Sequence, residues 1–396
     1  MTRSLDLPLQ RELAPLRWSR FHVLGCCSIY FEEASLKHLR KGPFSVLLLI
    51  LVATVMLTGC MPRGAMTNPG WTVVAAEGDV VYAALATGQV VALDAANQGA
   101  ELWTYPKAQA QASGGLGSLF TKRTTETTDK VLDAVYGIPA LTDSLVLVAS
   151  YNHNLYAFDR ASGQVKWGPF SAGEAIIGGA TVRDDVAYFG SSDHHVYAVD
   201  VNTGEPVWDQ PFETGHWVWG APAVDDERVY FGSMDRHVYA VDRKTGEQVW
   251  KQAVGGSVPG TVTLSDGLLF VGGVDKKVHA LDKTNGQERW SLDLGHWVWG
   301  EALVVDDTVY VSALDGRVFA LDVADGSPRW PEPTALGATV RAGPALLNES
   351  LIVGTELGTL YKIDTKSGEK TLFFTAEGAV LSTPAIVGEM VYVGAA

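Results

Sequence analysis

The hexapeptide Gly-His-Trp-Val-Trp-Gly occurs twice, at 215–220 and again at 295–300. Indole faces stack on planar ligands, sugars and cations, and imidazoles bind metals. In each copy the tryptophans stand at i and i+2: Trp217 with Trp219, and Trp297 with Trp299. On an extended segment each pair shares one face, and His216 and His296 fall on the other. Two histidines without carboxylate or cysteine support suit a structural role better than a zinc site. The runs Asp193-His194-His195 and Met234-Asp235-Arg236-His237 read as hairpin-turn chemistry. No metal site is expected. No Ser/His/Asp set or carboxylate pair is singled out by spacing, so no catalytic residue is assigned.

The elements that hold these residues are set by a repeat. Trp167, Trp208, Trp250, Trp290 and Trp330 are spaced 41, 42, 40 and 40 residues apart. Each closes one string: LYAFDRASGQVKW, VYAVDVNTGEPVW, VYAVDRKTGEQVW, VHALDKTNGQERW and VFALDVADGSPRW. An earlier copy, VVALDAANQGAELW, ends at Trp103, and a later one, LYKIDTKSGEKTL, has Leu372 in place of tryptophan. The residues before each aspartate alternate as a strand does. The aspartate side chain can accept from amides ahead of it, and the glycine accepts positive φ, so the middle of the string is a turn. Two more strand-like runs precede it, as in APAV and RVYFGS at 221–224 and 228–233. Four short strands in about 40 residues, repeated, define an all-β propeller of four-stranded antiparallel blades. The expectation is seven full units and a partial eighth, which begins at STPAIVGEMVYVGAA; a ring of the eight-bladed type is favoured. Trp103 and Trp167 are 64 residues apart, and the excess is a polar loop insertion at 105–130.

This repeat resembles the tryptophan-docking repeat of the PQQ-like β-propeller family. The resemblance implies that Trp103, Trp167, Trp208, Trp250, Trp290 and Trp330 dock each blade on its neighbour. It makes Asp94, Asp159, Asp200, Asp242, Asp282, Asp322 and Asp364 turn residues. Leu372 departs from the pattern and predicts weaker docking of blade seven.

Aligned on the turn aspartates, the two hexapeptides lead into the innermost strands of blades four and six. Trp219 and Trp299 match Ile177, Pro259, Arg341 and Leu381 in other blades; Trp217 and Trp297 match Ala175, Ser257, Thr339 and Ala379. One reading has the tryptophans filling gaps between blades. The other makes Trp217, Trp219, Trp297, Trp299 and Arg341 a channel-rim binding site, with the tryptophans flanking a planar ligand or extended peptide.

Residues 37–41, KHLRK, precede the uncharged run 44–57, FSVLLLILVATVML, which ends in Leu57-Thr58-Gly59-Cys60. A basic stretch, a short apolar core and this terminus resemble a bacterial lipoprotein signal peptide. The domain reading is an upstream extension and signal at 1–59, removed on maturation; a lipidated N-terminus at Cys60 and tether over 60–72; and the propeller at 73–396. Cys26 and Cys27 would leave with the signal, so neither a disulfide nor a Cys metal site is expected. The formal net charge of −15 argues against nucleic acid as a partner.

The family resemblance divides the functional possibilities. Quinoprotein dehydrogenases of the family hold PQQ with calcium in the channel; here Cys26-Cys27 lies upstream of the signal and there is no C-x-x-C-H haem motif. Lipid-anchored propellers typified by the outer-membrane assembly factor BamB present loops to partner proteins. The expectation is a membrane-anchored, extracytoplasmic scaffold without enzyme activity or cofactor, binding envelope or membrane proteins. The alternatives are a PQQ-binding dehydrogenase or sensor, and cell-wall glycan binding by the tryptophan rim.

Overall fold

The computed structural model describes residues 18–24, 28–34, 70–106 and 132–396. The apolar run and Cys60 lie outside the described residues, as does most of the 105–130 insertion; Tyr105 is the last residue of the strand Ala100–Tyr105. The described residues fold as eight four-stranded antiparallel sheets. Blades one to seven are each built from one continuous stretch, and strand order within each follows the chain. Blade four, for example, runs Ala223–Val224, Arg228–Gly232, His237–Asp242 and Gln248–Ala253 from the inside outward. In blades three and six the outer strand shrinks to two residues, Phe212–Glu213 and Thr334–Ala335. Pro206 and Pro328 stand where that strand would otherwise begin, each in an isolated bridge. A proline lacks the N–H that a continued ladder requires.

The eighth sheet takes its inner strands, Ala385–Val387 and Met390–Gly394, from the partial repeat. Its outer strands are Ser28–Ala34, paired antiparallel to Met390–Gly394, and Trp18–Leu24. Those upstream residues carry no copy of the repeat string, so periodicity does not find them. The ring closes where blade eight meets blade one: the Ser382 hydroxyl donates to the Thr72 carbonyl at 3.1 Å.

The repeat string explains itself locally. Asp200 Oδ1 accepts from the amides of Asn202 and Thr203, each at 2.9 Å. Gly204 follows at φ +79°, a conformation only glycine adopts without strain. The indole of the preceding blade lies flat on that turn: a Cβ on Gly204 would fall 2.7 Å from Trp167 Cδ2. The same indole donates Nε1–H to the Val201 carbonyl at 2.6 Å. Trp103, Trp208, Trp250, Trp290 and Trp330 repeat this contact on the carbonyls of Arg160, Arg243, Lys283, Val323 and Thr365, at 2.7–3.0 Å. Leu372, at the equivalent place in blade seven, is 62 % exposed.

Candidate channel-mouth binding site

The innermost strands surround a cavity of about 300 Å³ on the ring axis. Its walls are successive positions of the repeat. One layer stands 23 residues before each turn aspartate: Trp71, Tyr136, Ile177, Trp219, Pro259, Trp299 and Arg341, with Leu381 from blade eight. The next position is mostly glycine, because inner strands converge there. A Cβ on Gly220 would lie 2.1 Å from the Gly260 carbonyl oxygen, and one on Gly260 would lie 2.2 Å from that of Trp299. One residue further on, the layer reads Ile138, Gly179, Ala221, Thr261, Glu301, Gly343 and Thr383.

Both hexapeptides split between wall and surface. Trp219 and Trp299 line the cavity, while Trp217 and Trp297 lie outside it, 37 % and 45 % exposed. The space between blades is filled by the valine in the middle. Val218 and Val298 are fully buried against Gly190 and Gly272, where any added Cβ would collide with them. Trp217 stacks on Trp219 with ring centroids 5.0 Å apart and planes 13° off parallel. Trp219 faces Trp299 at 6.3 Å with a 35° tilt. A ring sandwiched between two others needs about 7 Å, twice the carbon–carbon contact distance, so no planar ligand fits between this pair. They form a wedge at the channel mouth. The Trp219 Nε1–H is taken by the Ser192 hydroxyl at 3.1 Å.

Arg341 sits in the same layer with its guanidinium carbon 5.9 Å from the Trp299 ring centroid. Its Nε donates to the Glu356 carboxylate, which neutralises it locally. The histidines are elsewhere. His216 accepts the Trp217 amide on Nδ1 at 2.8 Å and stacks on His194 at 5.4 Å, and His296 is exposed. Among the described residues no group of three or more His, Cys, Asp or Glu could hold a metal ion. The Asp193 carboxylate accepts from the Gly173 amide at 2.6 Å, the His195 amide at 3.0 Å and the Tyr197 hydroxyl at 2.6 Å. Burial opposes its ionisation, but these bonds together outweigh it and hold the carboxyl below its ordinary range. Asp235 repeats the arrangement with Gly215, His237 and Tyr239.

Three wall residues escape a reading centred on the hexapeptide. Trp71 and Tyr136 occupy the same layer as Trp219 and Trp299, with their rings edge to face at 5.3 Å. Their positions 23 residues ahead of Asp94 and Asp159 were the available signal. Glu301 directly follows the second hexapeptide, where Ala221 follows the first. It is the one carboxylate among the described residues of the cavity wall. Burial pushes its pKa up, against a hydrogen bond with Thr383 that favours the charge.

A ring of eight four-stranded blades locked by indoles on Asp-x-x-x-Gly turns is a PQQ-like β-propeller. The family model described as outer membrane protein assembly factor BamB matches residues 63–216, 170–257, 234–336 and 333–396, and the chain belongs to this family. No curated protein matches the sequence. Among solved structures, it resembles the computationally designed Ika8 protein, with a TM-score of 0.68 and 17 % identity over 83 % of this chain and 95 % of that one. It likewise resembles BamB from Moraxella catarrhalis, with a TM-score of 0.64 and 18 % identity over 82 % of this chain and 96 % of that one.

Proposed function

We propose that the chain is an extracytoplasmic scaffold, held to a bacterial membrane by a lipid on Cys60, which binds protein partners in outer-membrane protein assembly; maturation at Cys60 would remove Trp18–Leu24 and Ser28–Ala34 and leave blade eight its two inner strands. The observation that carries this reading is the family match, which runs from residue 63 to 396. The surface supports it. Strands alternate in direction, so the second-to-third-strand loops and the blade connectors share one face of the disc. That face exposes Trp217, Trp297 and Leu357, the last 73 % exposed. The opposite face carries the short turns, with exposed Asp184, Asp185, Asp226, Glu227, Asp306 and Asp307. Aromatic anchors within a polar surround are what protein interfaces use, and we assign the aromatic face to the partner.

The dehydrogenase reading draws no support from the wall. Calcium takes six to eight oxygen ligands, and PQQ is a tricarboxylate. The cavity offers one carboxylate and one guanidinium, and the guanidinium is already paired with Glu356.

Photo-crosslinking in native membranes tests the scaffold. A benzophenone amino acid at 297 is expected to form an adduct with a component of the outer-membrane assembly apparatus, and one at 266, on the acidic face, is not. Identical adducts from both positions, or none from 297, would overturn the assignment.

A further inference from the structure

We infer that the axial cavity binds a small organic ammonium ion with an apolar body, its charged nitrogen held by Glu301. The argument begins with a departure from the repeat. At the equivalent position the other blades place Ile138, Gly179, Ala221, Thr261, Gly343 and Thr383, so no carboxylate is needed for the fold. Glu301 is partly exposed on the cavity wall, and a half-buried carboxylate is stabilised by a cation placed beside it. Among the described residues no Lys, Arg or His pairs with Glu301, and the one guanidinium of the wall is spent on Glu356. The wall thus carries a carboxyl group with no charged partner of its own, and a cation entering the cavity would favour its ionised form.

The rest of the lining selects the kind of cation. Thr181, Thr261, Ser382 and Thr383 offer hydroxyl oxygens, which accept from N–H donors. Trp71, Tyr136 and the Trp219–Trp299 wedge supply apolar and aromatic surface for a hydrocarbon body. Arg341 over Trp299 shows that this wall accommodates a cation beside an indole. A divalent metal would need several oxygen anions and finds one. An anion would meet Glu301 without a free guanidinium. About 300 Å³ is at the small end for ligand sites, which fits an amine of a few carbons.

The test is a charge series of near-constant size: n-butylammonium, 1-butanol and butyrate, each titrated into the full-length chain in detergent at fixed ionic strength. Binding is read by calorimetry and by saturation-transfer NMR from indole protons. Saturable binding of butylammonium alone is expected, weakened at least tenfold in Glu301→Gln. Trp299→Leu is expected to weaken it too, and Trp297→Leu, outside the cavity, to leave it unchanged. Circular dichroism establishes that each variant is folded; if Glu301→Gln is not, Thr383→Val takes its place with the same expected weakening. Equal binding of butanol or butyrate, unchanged affinity in a folded Glu301→Gln, or saturable binding of N-acetylglucosamine but not of the amine would each overturn the inference. The scaffold reading is untouched by any of these outcomes.

Discussion

Trp208 and Trp290 offer a matched pair in which a single hydroxyl differs. Both indoles are buried, 4 % and 9 % exposed, and both donate Nε1–H to a carbonyl of the next blade at 2.9 Å. Each packs on an aromatic ring at nearly the same geometry: Trp208 on Tyr188 at 5.8 Å and 48°, Trp290 on Phe270 at 5.9 Å and 48°. The Tyr188 hydroxyl donates to the same Arg243 carbonyl at 3.3 Å; Phe270 has no hydroxyl to offer Val323. Trp→Phe removes about the same apolar area at both sites, which is worth about 1–2 kcal/mol. It also removes one hydrogen bond, about 1 kcal/mol net. At Trp208 the carbonyl keeps a donor. At Trp290 it keeps none, and a part-buried carbonyl left alone costs about 1–3 kcal/mol. Trp290→Phe is therefore expected to destabilise by about 1–2 kcal/mol more than Trp208→Phe. Urea unfolding followed by far-UV circular dichroism measures the difference, provided that the slopes agree. Phe270→Tyr in the Trp290→Phe background should recover most of the gap. Equal losses, or no recovery, would refute the argument that the carbonyl, rather than ring packing, sets the difference.

Three further outcomes follow from the same geometry. Gly220→Ala puts a Cβ 2.1 Å from a backbone oxygen that cannot move alone, so a loss of about 3 kcal/mol or failure to fold is expected. Gly267→Ala, at φ +83° with nothing nearby, should cost only about 1–2 kcal/mol by thermal denaturation. The Asp225 carboxyl is opposed by burial but held at about 2 by Lys283, the Glu227 and Arg228 amides and Tyr230. Its folded pKa is depressed, so its contribution is present above about pH 4 and lost as pH falls towards about 2; Asp225→Asn should flatten that part of the stability profile. For Glu301 the sign reverses, because burial raises the folded pKa. The native chain loses stability as pH rises from the ordinary carboxyl range through that raised value. Glu301→Gln should therefore melt higher than the native chain at pH 8 and close to it at pH 4; a lower melting temperature at pH 8 would count against a carboxyl whose desolvation outweighs its hydrogen bond with Thr383.

The blades were legible because each string serves two contacts at once. The turn needs aspartate and glycine, and the neighbouring indole needs that same glycine, so neither residue drifts between copies. The blade count was legible to the point where the string stops. Residues 18–34 lack aspartate-to-glycine turns, and nothing in their pattern announces that two strands join Met390–Gly394. The hexapeptide was legible as a repeat of place, two periods apart, but its division of labour was not. Which of two residues on one face lines a cavity, and which lies on the surface, depends on how steeply the segment enters the inner strand. The buried valine between them sets that entry, and it carries no chemistry to attract notice.

Glu301 shows why a near-perfect repeat is a sensitive background for finding function. Packing imposes the common residues, since inner strands that converge on an axis admit glycine and small side chains. A residue that satisfies packing leaves no trace of any other demand. A carboxylate in that layer is not required to close the ring: the equivalent Ala221 closes blade four without it, and burial works against its charge while a hydrogen bond with Thr383 favours it. Among the described residues of the wall, the one guanidinium, Arg341, pairs with Glu356 and not with Glu301. The two hexapeptides thus reach both the aromatic face, where Trp217 and Trp297 are exposed, and the axial cavity, which Trp219 and Trp299 line.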